Sequence, residues 1–235
     1  KVPRKGFEGN AMNIKYILSE GLFFDTDHRF YWNWRQLGLT GEEFTVPGAD
    51  GCELDALFLK ANSANGKKLR GTVFYAHDGS KNYTAHFDQV AWLVTQGFNV
   101  LLYDPRDCGR STGTLSLNGM VQDAEAVYQH FISNQLISPD TLILLGQGIG
   151  AEALLRMLER HPQGAKAVFL ESVWATHRGW LLRRYGPGIG HLCAALLPKD
   201  LTDEPIQALQ KLRIPVVLIL PGKDDAVPAK ESRDM

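Results

Sequence analysis

The sequence predicts an α/β fold: a mostly parallel sheet with helices on both faces and one inserted cap. Three observations lead there. Strand-like apolar runs alternate with stretches of helical spacing, the connections are short, and "ILLGQGIGAEALL" (143–155) reads as strand, turn of small residues, helix. Strands that are apolar almost throughout must be covered on both faces, which calls for the helical layers and crossovers of an α/β sheet.

In chain order, residues 1–40 form an N-terminal arm. Phe23, Phe24, Phe30, Tyr31, Trp32 and Trp34 gather at its end. They suit either packing onto the domain or peripheral association with a bilayer, whose interface favours Trp and Tyr. The domain proper covers 41–235. "EFTVP" (43–47) and "CELDALFLK" (52–60) are strands of a hairpin around "GADG". "GTVFYAH" (71–77) is a buried strand of parallel type, followed by a helical stretch over 84–96 and the strand "FNVLLYD" (98–104). Over 119–134, Met120, Ala124, Val127, Phe131 and Ile132 share one side at helical spacing. "TLILLG" (141–146), a helix over 149–160 and "KAVFLES" (166–172) come next. Residues 173–204 form an irregular cap rich in Gly, Arg and Leu, and "IPVVLILPG" (214–222) is the last strand. Ligands of such sheets bind at the carboxyl ends of the strands. The loops 77–82, 104–113, 146–150, 172–204 and 221–228 are therefore the places to seek a site.

Bulk properties narrow the function. A chain of 235 residues, 44% hydrophobic, can bury a sizeable core. A net charge of -1 without a dense basic block argues against a nucleic-acid partner. Runs such as "VVLIL" (216–220) fall far short of the ~20 residues of a membrane span. Cys52, Cys108 and Cys193 give neither a disulfide framework nor a metal-ligand pattern. No phosphate-binding loop or dinucleotide fingerprint is present, so neither a cofactor nor a metal is expected. The chain has no starting Met and no signal peptide. The location is left open: cytoplasmic, or membrane-associated or periplasmic if a leader or anchor was removed. The oligomeric state is open too.

Gly146, Gly148 and Gly150 alternate around Gln147 and Ile149. This is the spacing of G-x-S-x-G, the sharp turn that lifts a nucleophilic serine above a sheet. With "DGCELDALFLKA", "GTVFYAHDGSKN", "VAWLVTQGFNVLLYDPRDCGRSTG", "GQGIGAEALLRMLERHP" and "AVFLESVWA" in order, residues 40–235 resemble the Bem46-type serine hydrolases of the α/β-hydrolase superfamily.

The resemblance implies a nucleophile, an acid and a His in that chain order, with two backbone N–H donors for the oxyanion. Residue by residue, the nucleophile position falls on Gly148, and Ile149 supplies one donor. "HDG" (His77, Asp78, Gly79) matches the family's "HGN", which makes Gly79 the second donor and puts a carboxylate where the family has glycine. The acid falls on Asp225 counted from Gly222, or on Asp224 counted back from Pro228; the strand end favours Asp225. The family His follows an eighth strand; Met235 is reached before such a strand, so the position of the His is left open. "YDPRDCGRSTG" (103–113) supports structure, with Asp104 holding Arg106; Cys108 sits on the wrong loop for a nucleophile, and Glu152 caps or pairs one turn past the elbow. The candidate substrate pocket takes His77, Asp78, Trp174 and His177. In the cap, Trp174, Trp180, Leu181, Leu182, Leu196 and Leu197 stand beside Arg178, Arg183 and Arg184. They read either as an acyl pocket with cations for an acidic head group or as an amphipathic helix pair with solvated arginines.

Removing a triad serine costs on the order of 10⁶ in turnover, or about 8 kcal/mol of barrier. Efficient acyl transfer is therefore not expected from this chain. Three readings stay open: a degenerate hydrolase that binds an ester-like molecule without cleaving it, an active esterase or thioesterase whose serine has been changed, and chemistry through another group such as a water activated by Asp224 or Asp225. A fourth, of another class, is a protein-interaction module that uses the cap face.

Overall fold

The structure, a computed structural model, describes residues 23–62, 68–197, 205–220 and 222. Among these, β2 (Gly41–Pro47), β3 (Glu53–Leu59), β4 (Gly71–Ala76), β6 (Phe98–Tyr103), β7 (Leu142–Gln147), β8 (Ala167–Glu171) and β9 (Val216–Ile219) make one sheet. Its order is β2-β3-β6-β4-β7-β8-β9. The β2–β3 hairpin is antiparallel and β3 joins β6 antiparallel, whereas β6, β4, β7, β8 and β9 all run parallel. A separate parallel pair joins β1 (Asp25–Thr26) to β5 (Ser80–Lys81).

Alternation along the strands sends side chains to two cores. Phe74, Ala76, Leu101 and Tyr103 face the helices on one side, while Tyr75, Val100 and Leu102 meet Trp34, Phe87, Val90 and Val94 on the other. Each large apolar side chain so buried contributes about 1.5–3 kcal/mol.

The stretch predicted helical over 84–96 is a short helix, α1 (Phe87–Ala91), run into a 3₁₀ segment, Trp92–Gln96. It stops where Gly97 turns left-handed, at φ 88. Helix α2 (Leu117–Ser133) begins two residues earlier than its spacing suggests, because Ser116 accepts a hydrogen bond from the Gly119 N–H. Helix α3 (Ile149–Arg160) packs between the sheet, α2 and α5 (Pro205–Lys211), so it is apolar on more than one face.

The cap is more regular than predicted. Its described part is α4 (His177–Leu196), started by a Thr176 side-chain cap. At Gly186, φ 75 and ψ 169 break the helix, and Pro187 follows. Proline cannot continue a helix but can begin one. No helix among the described residues is long and apolar enough to cross a membrane. The aromatic arm divides: Phe23 and Trp34 are buried, whereas Phe30, Tyr31 and Trp32 are exposed.

Candidate functional site

The sheet changes direction at β4. The chain leaves it for β6 on one side and returns to β7 on the other, which makes the β4/β7 carboxyl ends the topological switch point. There Ala76 pairs with Gly146, so the loop after β4 and the turn after β7 lie next to each other.

Gly148 is the N-cap of α3, with φ 53 and ψ −121. Its N–H donates to Glu171 O at 2.9 Å, which ties the turn to the end of β8. The flanking glycines are there for space. A Cβ on Gly146 would stand 2.8 Å from Ala151 N, and one on Gly150 would stand 2.7 Å from Ala76 C and overlap the carbonyl oxygens of Ala76 and His77. Helix α3 thus crosses the strand ends at backbone contact. Around Gly148 there is more room: a Cβ would lie 3.3 Å from Asp78 Cβ and 4.0 Å from Trp174 Cζ3. Backbone angles of this kind cost a side-chain-bearing residue about 1–3 kcal/mol. Gly148→Ser is therefore expected to lower stability by about that amount, measured by urea denaturation at unchanged slope.

The loop after β4 brings the second set of predicted residues to the turn. A Cβ on Gly79 would approach Ile149 Cγ2 at 3.2 Å, so the two residues expected to donate to an oxyanion are neighbours. Ile149 opens α3, where N–H groups have no intrahelical acceptor. Asp78 is turned along its own loop: Oδ1 accepts the Ser80 N–H at 2.8 Å and the Ser80 hydroxyl at 2.6 Å, and lies 3.5 Å from His86 Nε2. His77 is buried, with Nδ1 2.6 Å from Asp78 O and Nε2 3.3 Å from Asp104 Oδ1 at an angle that makes no hydrogen bond. Burial, with His77 stacked beside it, holds His86 below the ordinary imidazole value.

Two elements cover this region. The arm lays its backbone against Gly79, and the Asp25 N–H donates to Gly79 O at 2.7 Å. Phe23 stacks on Trp180 at 4.8 Å and meets Trp174 and the edge of His177 at 6.0 Å each. From beneath, the fully buried His177 places Nε2 2.9 Å from both oxygens of Glu152, and Arg156 Nε donates to Glu152 Oε1 at 2.9 Å. Burial pushes the Glu152 carboxyl up, but the His177 charge and hydrogen bond, with help from Arg156, bring the net value below the usual one.

The structure therefore brings together Gly146, Gln147, Gly148, Ile149, Gly150, Asp78, Gly79 and Trp174. His77 and His177 lie at the rim of this group but are buried and face Asp104 and Glu152. Asp224 and Asp225 lie outside the described residues. One pairing differs from expectation. Arg106 is held by Asp123 of α2, at 2.8–3.1 Å through Nε and Nη2, and not by Asp104, which accepts the Tyr83 N–H at 2.5 Å. Burial pushes the Cys108 thiol far above its ordinary value, which keeps it unreactive. Sequence reasoning did not find the Glu152–His177 contact. The available signal was a carboxylate set within the apolar run of α3.

A family model described as Hydrolase_4: Serine aminopeptidase, S33, matches residues 67–201. The uncharacterized protein YfhR of Escherichia coli K12 is 29% identical over 194 residues, which cover 82% of this chain and 66% of that protein. Protein bem46 of Schizosaccharomyces pombe is 20% identical over 197 residues, 83% of this chain and 64% of that one. The chain thus spans just under two thirds of the length of these curated relatives. Among solved structures, an α/β-hydrolase from Vibrio vulnificus superposes with a TM-score of 0.74 at 16% identity, covering 100% of this chain and 85% of its own. The esterase Pf2001 of Pyrococcus furiosus gives 0.69 at 18% identity, over 90% and 82%. These likenesses show the fold.

Proposed function

Because this chain belongs to the Hydrolase_4 (serine aminopeptidase, S33) family of α/β-hydrolases, we propose that it keeps the recognition architecture of a serine hydrolase and binds an acyl- or ester-type small molecule without cleaving it. The observation that carries this reading is residue 148. It has the backbone of a displayed nucleophile, φ 53 and ψ −121 at a helix N-cap, and no side chain to attack with. Without an attacking oxygen only binding and oxyanion stabilisation remain, and the lost turnover is on the order of 10⁶.

Asp78 favours this reading over an active esterase with one altered residue. A single change at 148 leaves a carboxylate in the oxyanion loop unexplained, whereas a chain released from catalysis tolerates both. A negative charge there opposes the developing oxyanion. The aromatic group of Trp174, Trp180 and Phe23 supplies an apolar wall beside the turn.

The test uses the chain as it stands. A fluorophosphonate probe is expected to leave it unlabelled, and p-nitrophenyl butyrate to be hydrolysed no faster than in buffer. Octanoate is expected to change tryptophan fluorescence saturably. Gly148→Ser alone is expected to stay unlabelled. Labelling of the unmodified chain, or a labelled and active Gly148→Ser, would overturn the reading, as would the absence of any saturable octanoate response.

A further inference from the structure

The loop after β4 carries more ligating chemistry than an oxyanion loop needs. His77, Asp78 and His86 each place one ligand atom, a ring nitrogen or a carboxylate oxygen, within 4.8 Å of the other two. The histidines are buried and Asp78 is half-exposed, so the cluster has shielded walls and one open side. We infer that His77, Asp78 and His86 form a binding site for a divalent transition cation of the zinc type, beside the elbow. This goes beyond the ligand-binding reading above and does not depend on it.

The donor set fits such an ion. Two imidazoles and a carboxylate suit zinc, and calcium or magnesium would prefer oxygens alone. Around His86 Nε2 lie Ser80 O at 3.0 Å, Ser80 Oγ at 3.5 Å and Asp78 Oδ1 at 3.5 Å. Ligands bound at about 2.0–2.1 Å stand roughly 2.8–3.4 Å apart in octahedral or tetrahedral arrangements. The two rings lie nearly parallel, 13° apart with centres 5.1 Å from each other. A shared ion therefore requires one ring to turn about its Cβ–Cγ bond.

Ligating histidines need a hydrogen-bond partner on the other ring nitrogen, and each ring has a neighbour there. The His77 Nδ1–H donates to the Asp78 carbonyl oxygen at 2.6 Å, which leaves the buried Nε2, 3.3 Å from Asp104 Oδ1 and without a hydrogen bond, as the nitrogen able to ligate. Behind His86, Gln89 Nε2 lies 3.3 Å from Nδ1. Without a cation, His86 Nε2–H donates to Ser80 O at 3.0 Å and Nδ1 accepts from the Gln89 amide, so a bound cation must displace the Nε2 proton. Tyr75 Oη lies 2.8 Å from Gln89 Oε1 and 3.1 Å from Gln147 Oε1, but one hydroxyl has one proton and cannot serve both oxygens. Turning over either amide resolves the conflict. With Gln89 turned, its nitrogen donates to Tyr75 and its oxygen accepts Nδ1–H of His86, so that Nε2 can exchange its hydrogen bond to Ser80 O for the cation. Asp78 is already oriented by the two Ser80 donors on Oδ1.

Position adds a second argument. Asp78 Cβ is 3.3 Å from the point where a side chain on residue 148 would begin. Positions 78 and 148, two of those that depart from the Bem46-type pattern, are thus neighbours. Loss of the side chain at 148 makes room beside the carboxylate that completes the ligand set.

The experiment is a calorimetric titration of the chelator-treated chain with zinc chloride, with the melting temperature followed in parallel. One zinc per chain is expected, with a rise in melting temperature. His86→Ala is expected to abolish both signals, and Asp78→Asn, which keeps shape on a half-exposed side chain, to weaken binding at least tenfold. Gln89→Leu is expected to weaken it about 10- to 100-fold, the usual effect of removing an outer partner. Circular dichroism establishes that each variant is folded; if His86→Ala is not, Asp78→Asn carries the test. An unmodified chain without 1:1 saturable zinc binding, or a folded Asp78→Asn that titrates like it, would overturn the assignment.

Discussion

Gly150→Ala is expected to be the most damaging single-methyl change in this protein, with a loss of about 3 kcal/mol or more, or no recoverable folded chain. Overpacking a tight site usually costs about 1–3 kcal/mol, because side chains can shift into other rotamers. Here the added Cβ meets backbone, at 2.7 Å from Ala76 C and inside contact with two carbonyl oxygens. Those oxygens belong to the end of β4 and the start of its loop, which are fixed by the β4–β7 ladder. Only the helix can retreat, and α3 is held by α2 and α5. Gly186→Ala provides the contrast, since a Cβ there meets nothing within 4 Å. It should lose only the cost of a positive-φ, extended backbone that glycine alone adopts freely, about 1–3 kcal/mol. Equal losses in urea denaturation would show that α3 does not pack against the strand ends as described.

Glu152→Ala is expected to cost about 3–5 kcal/mol, the range for breaking a buried ion pair by removing one partner. His177 is fully buried and would lose the carboxylate whose two oxygens both lie 2.9 Å from its Nε2. The double variant Glu152→Leu/His177→Leu should be less damaging than the sum of the single changes, because it removes both partners of the buried contact and leaves only the partly exposed Arg156 without its carboxylate. Additive losses would argue against a direct pair.

The same carboxyl sets a pH dependence. Its folded value lies below the ordinary 4.5, so the unfolded chain binds the proton more readily. The stabilisation is present above that ordinary value and is lost as pH falls through the lower folded one. Compared with the double Leu variant, the unmodified chain should lose stability more steeply below about pH 4.5. Parallel acid profiles would contradict this.

Much of the fold is legible because its signals are local. The strand runs, the helix over 149–160 and the Gly146–Gly148–Gly150 turn are each defined within a dozen residues, by periodicity and by the absence of side chains. The elbow could be read in the same way, including its missing oxygen. The arrangement around it could not. Arg106 has an acid two residues before it and an acid 17 residues after it, and the distant one holds it. His77 and His86 are nine positions apart on a loop whose course depends on Asp104, Asn82 and the arm strand β1. The cap looked irregular because Gly186 and Pro187 interrupt a helical pattern that resumes on either side.

By itself, the sequence determined the element types, the backbone demanded at 146–150 and the lack of an attacking group at 148. Tertiary structure alone decided the sheet order, the burial of His177 against Glu152, the placing of Phe23 against the cap and the gathering of His77, Asp78 and His86. The reason is physical. Periodicity and steric freedom are properties of neighbouring residues, whereas a buried polar group takes whichever partner the packed chain brings within hydrogen-bonding distance, and several partners of equal chemistry exist in the sequence.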